Sequence, residues 1–239
     1  MPEKYTYLLV DFFCIIVPFL FSFHPKINFH KQWKYFWAPC LLTASFFLVW
    51  DALFTNAGVW GFSPRYISGI YLYNLPIEEC LFFLCIPYSC VFTYNCITIF
   101  SMISINKVLT LIITIALVLL LCITGFTHMQ KLYTSITFLL LATLLSSIII
   151  KKNGILSSFY LSYLIILLPF FISNGILTGS FLNRPTVLYN DHYNLGIRIL
   201  TIPVEDLFYA MLLLLMNIIG FEYLKSNSYQ YQQAITVEE

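Results

Sequence analysis

Two short segments carry the same acidic motif, and each opens an apolar run long enough to cross a bilayer. The first is Pro76-Ile77-Glu78-Glu79 and the second is Pro203-Val204-Glu205-Asp206. Ionisable side chains are costly at membrane depth, so carboxyl groups there indicate a functional site. Adjacent carboxyls resist double ionisation, which allows one of them to hold a proton and the other to accept one. The motif therefore predicts acid–base chemistry, and the candidate catalytic residues are Glu78, Glu79, Glu205 and Asp206.

A proline in the first turn indicates where each acidic helix begins, because that position needs no intrahelical N–H partner. The free N–H groups and the positive end of the helix dipole favour a carboxylate there, whereas burial favours the neutral acid. Neighbouring residues point about 100° apart around a helix, so we expect one carboxyl of each pair to face a cavity and the other to brace a helix or loop. A simple helix cap would explain one such motif, but two doubled copies favour a site.

Aromatic side chains follow the acids at helical spacing. Phe82 lies four residues after Glu78, and Tyr209 lies four residues after Glu205, a spacing that puts each pair on one helix face. A ring face attracts positive charge most strongly where water is absent, which suits a cationic hydrocarbon intermediate. We therefore expect Phe82 and Tyr209 to bind substrate, with core packing as the alternative for either ring.

Two polar residues occupy matching positions near the end of the second apolar run of each half. Asp51 begins the segment Asp-Ala-Leu-Phe-Thr, and Asn174 begins the segment Asn-Gly-Ile-Leu-Thr. We predict that both bind substrate, and the alternative is that they are ordinary polar residues at helix ends. Asp11, in the first run, has no acidic counterpart in the second half and is interpreted as structural.

The composition is typical of a membrane protein. Hydrophobic residues make up 60% of the 239 residues and charged residues 10%, and the formal net charge is +1. Such a chain would expose large apolar patches in water, and it has no basic block with which to bind nucleic acid. The 7 cysteines and 4 histidines are scattered without a C-x-x-C pair, so no metal site is predicted. No glycine-rich nucleotide-binding motif occurs, so no cofactor is expected.

Seven apolar runs are long enough to be transmembrane helices. The loops on one side, together with the tail, carry seven of the 12 basic residues, Lys152 among them. This bias favours a C-terminus in the cytoplasm and an N-terminus outside the cell. The polar tail after Lys225 is expected to be disordered. The runs cover residues 5–23, 36–54, 75–99, 107–125, 131–150, 156–176 and 200–221.

The two acidic motifs indicate an internal repeat, because Pro203 follows Pro76 by 127 residues. Runs one to three and five to seven then form two three-helix units, and the fourth run is a connecting helix. Four spans separate equivalent points, so the units are parallel and both motifs lie at one membrane face. The predicted fold is all-α integral membrane. Its parts are one membrane domain (residues 1–222, with repeats over about 5–99 and 131–221) and a polar tail (223–239).

These residues resemble the flavin-independent, integral-membrane lycopene cyclases, which carry a Pro-x-Glu-(Glu/Asp) motif in each of two homologous halves. In some bacteria the halves are separate proteins that form a heterodimer. The chain is similar to the joined form over residues 1–222. The match depends on both motifs in order, on the segments that begin at Asp51 and Asn174, and on Trp60-Gly61.

The resemblance implies a lycopene β-cyclase in a bacterial cell membrane. Such an enzyme protonates the end of an acyclic carotene, closes a ring on the cation and removes a proton, without a redox change or a cofactor. Lycopene and membrane lipid are the implied partners, and a homo-oligomer or an association with other carotenoid enzymes is compatible with the resemblance. Which carboxyl is the acid and which is the base stays open.

Other function classes use similar parts. A cation- or proton-coupled membrane transporter would also have parallel repeats and membrane carboxylates. A membrane prenyltransferase-like enzyme would need spaced aspartates to hold magnesium and diphosphate, whereas the acidic pairs here are adjacent. A retinal protein would need a lysine in the seventh run, and that run has none. A non-catalytic subunit of a carotenoid-enzyme complex is the remaining alternative.

Overall fold

Within residues 3–101, 105–151 and 154–238, which the computed structural model describes, the protein folds into seven α-helices. All seven are long and apolar enough to cross a membrane, and each coincides with one predicted run. Lys152 of the charge count and Glu239 of the tail lie outside the described residues. The helices are α1 (Thr6–Phe21), α2 (Trp33–Asn56), α3 (Ile77–Phe100), α4 (Lys107–Thr127), α5 (Leu132–Ile150), α6 (Ile155–Leu177) and α7 (Val204–Glu238).

Short antiparallel strand pairs connect the helices at one face of the bundle. Two of the pairs are hairpins directly before the acidic helices, and the third joins the long loops of the two halves. The strands are β1 (Trp60–Phe62), β2 (Tyr71–Leu72), β3 (Leu75–Pro76), β4 (Val187–Tyr189), β5 (Arg198–Ile199) and β6 (Ile202–Pro203), paired as β1–β4, β2–β3 and β5–β6.

The internal repeat is visible in backbone hydrogen bonds that recur 127 residues apart. Ile77 N–H donates to the Ile70 carbonyl, and Val204 N–H donates to the Ile197 carbonyl, both at 2.9 Å. The β2–β3 and β5–β6 hairpins have the same register, and their first turn residues, Tyr73 and Leu200, share a φ of 58°. The two parallel three-helix repeats with a connecting helix are therefore confirmed, and both acidic helices begin at the same face.

The tail differs from its prediction. α7 continues as a helix to Glu238, whereas the polar composition after Lys225 predicted disorder. No proline or glycine follows Gly220, and adding residues to an existing helix is far easier than starting one. The membrane helix therefore supplies the nucleus that an isolated polar segment would lack.

Close packing between α2 and α7 joins the two halves behind the acidic face. A Cβ added at Gly220 of α7 would lie 2.5 Å from Cβ of Pro39 in α2. The rigid proline ring cannot rotate away, so we expect Gly220→Ala to lower the free energy of unfolding by about 1–3 kcal/mol. Thermal unfolding in detergent measures the change.

The matched control is Gly154→Ala, because a Cβ added at Gly154 would meet no atom within 4 Å and the residue has a φ of −72°. We expect this variant to unfold within a degree or two of the wild type, since an open surface position costs little. Equal melting temperatures for the two alanine variants would show that the α2–α7 contact can relax.

Candidate active site

The first acid of each motif braces a loop at the acidic face. Glu78 Oε1 accepts the backbone N–H of Ser68 at 2.6 Å, and Glu205 Oε1 accepts that of Leu195 at 2.7 Å. Thr134 of α5 also donates its hydroxyl to Glu205, at 2.6 Å. Both carboxyls are fully buried. These two side chains therefore tie the long loops to the starts of α3 and α7, in equivalent positions of the repeat.

The second acid of each motif faces a cavity instead. Glu79 and Asp206 line a space of about 680 Å³ between α1, α3, α6 and α7, with Asp51 and Asn174 beside them. Glu78 and Glu205 are not among its lining residues. In both halves, as expected, one carboxyl of the motif faces the cavity and the other holds a loop. The reason is that adjacent positions on a helix point in different directions.

The cavity is an elongated slot with the carboxyls near one end. On α3 it extends from Glu79 to Thr93, which corresponds to about 21 Å of helix at 1.5 Å per residue. Its wall includes Phe13, Val17 and Ile172, which are also 65%, 56% and 57% exposed on the outside of the bundle. The slot therefore opens sideways between α1 and α6, on a surface that lipid would cover.

In the first half, Glu79 lies beside a second carboxyl. Tyr7 of α1 donates its hydroxyl to Glu79 Oε2 at 2.5 Å, and Trp60 of β1 donates its indole N–H to Asp51 Oδ1. The carboxyl groups of Asp51 and Glu79 line the same end of the slot, and both side chains are buried. Neighbouring buried carboxyls resist double ionisation, so a bound proton is favoured at this pair.

In the second half, Asp206 is surrounded by donors. Tyr133 of α5 donates its hydroxyl to Oδ1 at 2.6 Å. The Asn174 amide and the Tyr189 hydroxyl donate to Oδ2 at 2.8 Å and 2.9 Å. Burial, together with the Asp206 charge, raises the pKa of Tyr189 well above its ordinary value, so this phenol keeps its proton and remains a donor.

The two predicted aromatic residues both line the slot. Phe82 packs edge-on against Tyr7 and Phe83. Tyr209 is held by edge contacts with neighbouring rings and lines the slot together with Asp51, Glu79 and Asp206. The rings that hold Tyr209 are Phe47, Trp50, Trp60 and Tyr133.

Sequence reasoning missed the tyrosines that hold the acids. Tyr7 and Tyr133 stand 126 residues apart at the start of equivalent helices, and each donates to the second acid of its own half. The 127-residue offset maps Tyr7 to Thr134, one residue after Tyr133, so it indicates the correct turn of α5 but not the tyrosine itself. Trp60 and Tyr189 are likewise partners in the β1–β4 register, and the polar tips of both contact the carboxyl cluster.

Asp11, interpreted as structural, is buried next to the site. Only 1% of its surface is exposed, and neither of its oxygens has a hydrogen-bond partner among the described residues. The first half therefore concentrates more buried carboxyls than the second. Among the described residues, no three histidine, cysteine or acidic side chains are arranged to hold a metal ion.

Comparison with known proteins identifies the family. The family model for lycopene cyclase matches residues 4–97 and 130–224. The chain belongs to the lycopene cyclase family. The two matched regions coincide with the two three-helix repeats, and α4 falls in the gap between them. Neither the curated proteins nor the solved structures gave a match. This protein is thus an integral membrane protein of carotenoid biosynthesis with a carotenoid substrate.

Proposed function

We propose that the protein is a lycopene β-cyclase of a bacterial cell membrane, with Glu79 and Asp206 as the catalytic carboxyls. The observation that carries the proposal is the meeting of these two acids, one from each half, at the end of a slot that opens towards lipid. Glu78 and Glu205 then support the site from outside the slot, through their loop contacts.

The reaction needs two proton transfers and no electrons. A carboxylic acid adds a proton to the terminal double bond of the carotene, which leaves a tertiary cation. An internal double bond attacks this cation, the new carbon–carbon bond closes a six-membered ring, and the charge moves to a ring carbon. A carboxylate then removes a proton from the neighbouring carbon that joins the polyene, and the β-ring double bond forms. General acid and base catalysis of this kind contributes about 10²–10⁴-fold for each group.

The surroundings of the acids suit a cationic intermediate. Phe82 and Tyr209 offer aromatic surfaces in the slot, where the attraction between a ring and a cation is strongest because water is excluded. Asp51 and Asn174 line the same end. We assign the two rings to binding of the end group, and Asp51 and Asn174 to the control of the neighbouring acids.

The sideways opening suits a hydrocarbon that is dissolved in the bilayer. A carotene would enter between α1 and α6, past Phe13, Val17 and Ile172, without passing through water. Of the four motif acids, one from each half faces the slot, so one end group reacts at a time. A product with two rings would then need two separate visits to the slot.

Expression in a bacterium that accumulates lycopene tests the proposal. We expect the red cells to turn yellow-orange, and chromatography to show carotenes with β-rings. The double variant Glu79→Gln/Asp206→Asn, at the same level in the membrane, serves as the inactive control. Unchanged lycopene with correctly inserted wild-type protein would instead favour a transporter or a prenyltransferase-like enzyme, and ε-rings would correct the ring type alone.

A further inference from the structure

The two cavity-facing acids have equivalent positions but different neighbours. Glu79 shares its end of the slot with the carboxyl of Asp51, whereas Asp206 accepts a hydrogen bond from the amide of Asn174. The repeat gives each acid a tyrosine donor from the first helix of its own half, Tyr7 or Tyr133. The exchange of a carboxyl for an amide therefore makes the two half-sites chemically unequal.

The Asp51–Glu79 pair favours a bound proton. Trp60 and Thr55 both donate to Oδ1 of Asp51, and Oδ2 has no hydrogen-bond partner among the described residues. Asp51 is 2% exposed and Glu79 is 8% exposed, so water cannot separate their charges. Two neighbouring buried carboxylates repel each other, and one bound proton removes the repulsion.

The surroundings of Asp206 favour the opposite state. Its two oxygens accept hydrogen bonds from Tyr133, Asn174 and Tyr189. Hydrogen bonds that are donated to a carboxylate stabilise its charged form. An amide N–H, unlike a carboxyl, has no proton that it can give up to Asp206.

We propose that the two halves are specialised: Glu79, which shares a proton with Asp51, is the acid, and Asp206 is the base. The proposal rests on the cyclase function proposed above. The proton leaves the Asp51–Glu79 pair for the terminal double bond, the ring closes, and a ring proton passes to Asp206. Transfer of that proton back to the pair completes the cycle, so protons balance and no oxidant or reductant is needed. Asp51 is a positioning residue, because it acts through Glu79.

Exchange of the two partners provides the test. Asp51→Asn gives Glu79 an amide neighbour, and Asn174→Asp gives Asp206 a carboxyl neighbour. We expect each single change to lower kcat by about 10²–10⁴-fold, because it removes one of the two groups from its working protonation state. The double variant D51N/N174D restores one carboxyl pair and one amide pair with the halves exchanged. We expect its kcat to exceed that of either single variant. If the two sites were independent, the two losses would instead multiply, and the double variant would be slower than either single one.

A second measurement does not depend on turnover. The infrared carbonyl band of a protonated carboxyl is expected to weaken in purified D51N, and to be unchanged in Asp206→Asn. Loss of the band in Asp206→Asn instead, or a D51N variant with wild-type kcat, would overturn the assignment. Multiplied losses in the double variant, with all proteins folded by thermal unfolding, would also overturn it. Absence of ring formation by the wild type would contradict the cyclase function itself, not the difference between the halves.

Discussion

Glu79→Gln and Asp206→Asn are each expected to lower kcat for ring formation by about 10²–10⁴-fold, the range that one general acid or base supplies. Both changes keep the shape of the side chain and remove its ability to exchange a proton. KM should change little, because an amide occupies the same end of the slot. Purified protein in lipid vesicles, with lycopene added from lipid and products separated by chromatography, gives both constants.

The matched controls are the adjacent acids, Glu78→Gln and Glu205→Gln. A glutamine carbonyl oxygen can still accept the N–H of Ser68 or Leu195, so the loop contacts survive and we expect a loss of tenfold at most, equivalent to about one neutral hydrogen bond. If Glu78→Gln lowered kcat as much as Glu79→Gln, the catalytic acid would not be Glu79, the residue of this pair that faces the cavity. Full activity in both Glu79→Gln and Asp206→Asn would reject the catalytic assignment.

The seven helices and their arrangement were predictable from the sequence, because a simple rule decides each of them. Length and hydropathy identify the seven helices, since a bilayer demands about twenty apolar residues for each span. The 127-residue offset between the two prolines then fixes the parallel arrangement through the number of spans alone. Individual hydrogen bonds also recur at this offset, such as those from the loops to Glu78 and Glu205.

Contacts between distant segments were not predictable in the same way. Tyr7 and Tyr133 stand near the ends of apolar runs, where tyrosine is common simply because it suits the membrane interface. Their partnership with Glu79 and Asp206 depends on how α1 docks on α3 and α5 on α7, which no local pattern specifies. The difference between Asp51 and Asn174 was visible in the sequence, but its meaning depends on which acid each one lies near.

Ala210→Phe is expected to lower kcat/KM by about 10²-fold, because small displacements of a reacting group cost that much. Ala210 lies one turn after Asp206 on α7 and lines the slot. A phenyl ring there would fill the space in which we place the end group, without adding or removing a charge. The variant should fold, since the ring enters a cavity rather than a packed core. Initial rates of ring formation at lycopene concentrations well below KM, in the vesicle assay, measure the loss.

Ala116→Phe is the matched control, because Ala116 is exposed on α4 and does not line the slot. Equal activity of this variant and the wild type would show that an added ring on a membrane helix is harmless by itself. Wild-type kcat/KM in Ala210→Phe would mean that the end group reacts elsewhere, although the acids are intact. The pair thus separates the shape of the slot from the chemistry of its carboxyls: a steric block lowers activity with both carboxyls in place, whereas Glu79→Gln lowers it with the space unchanged.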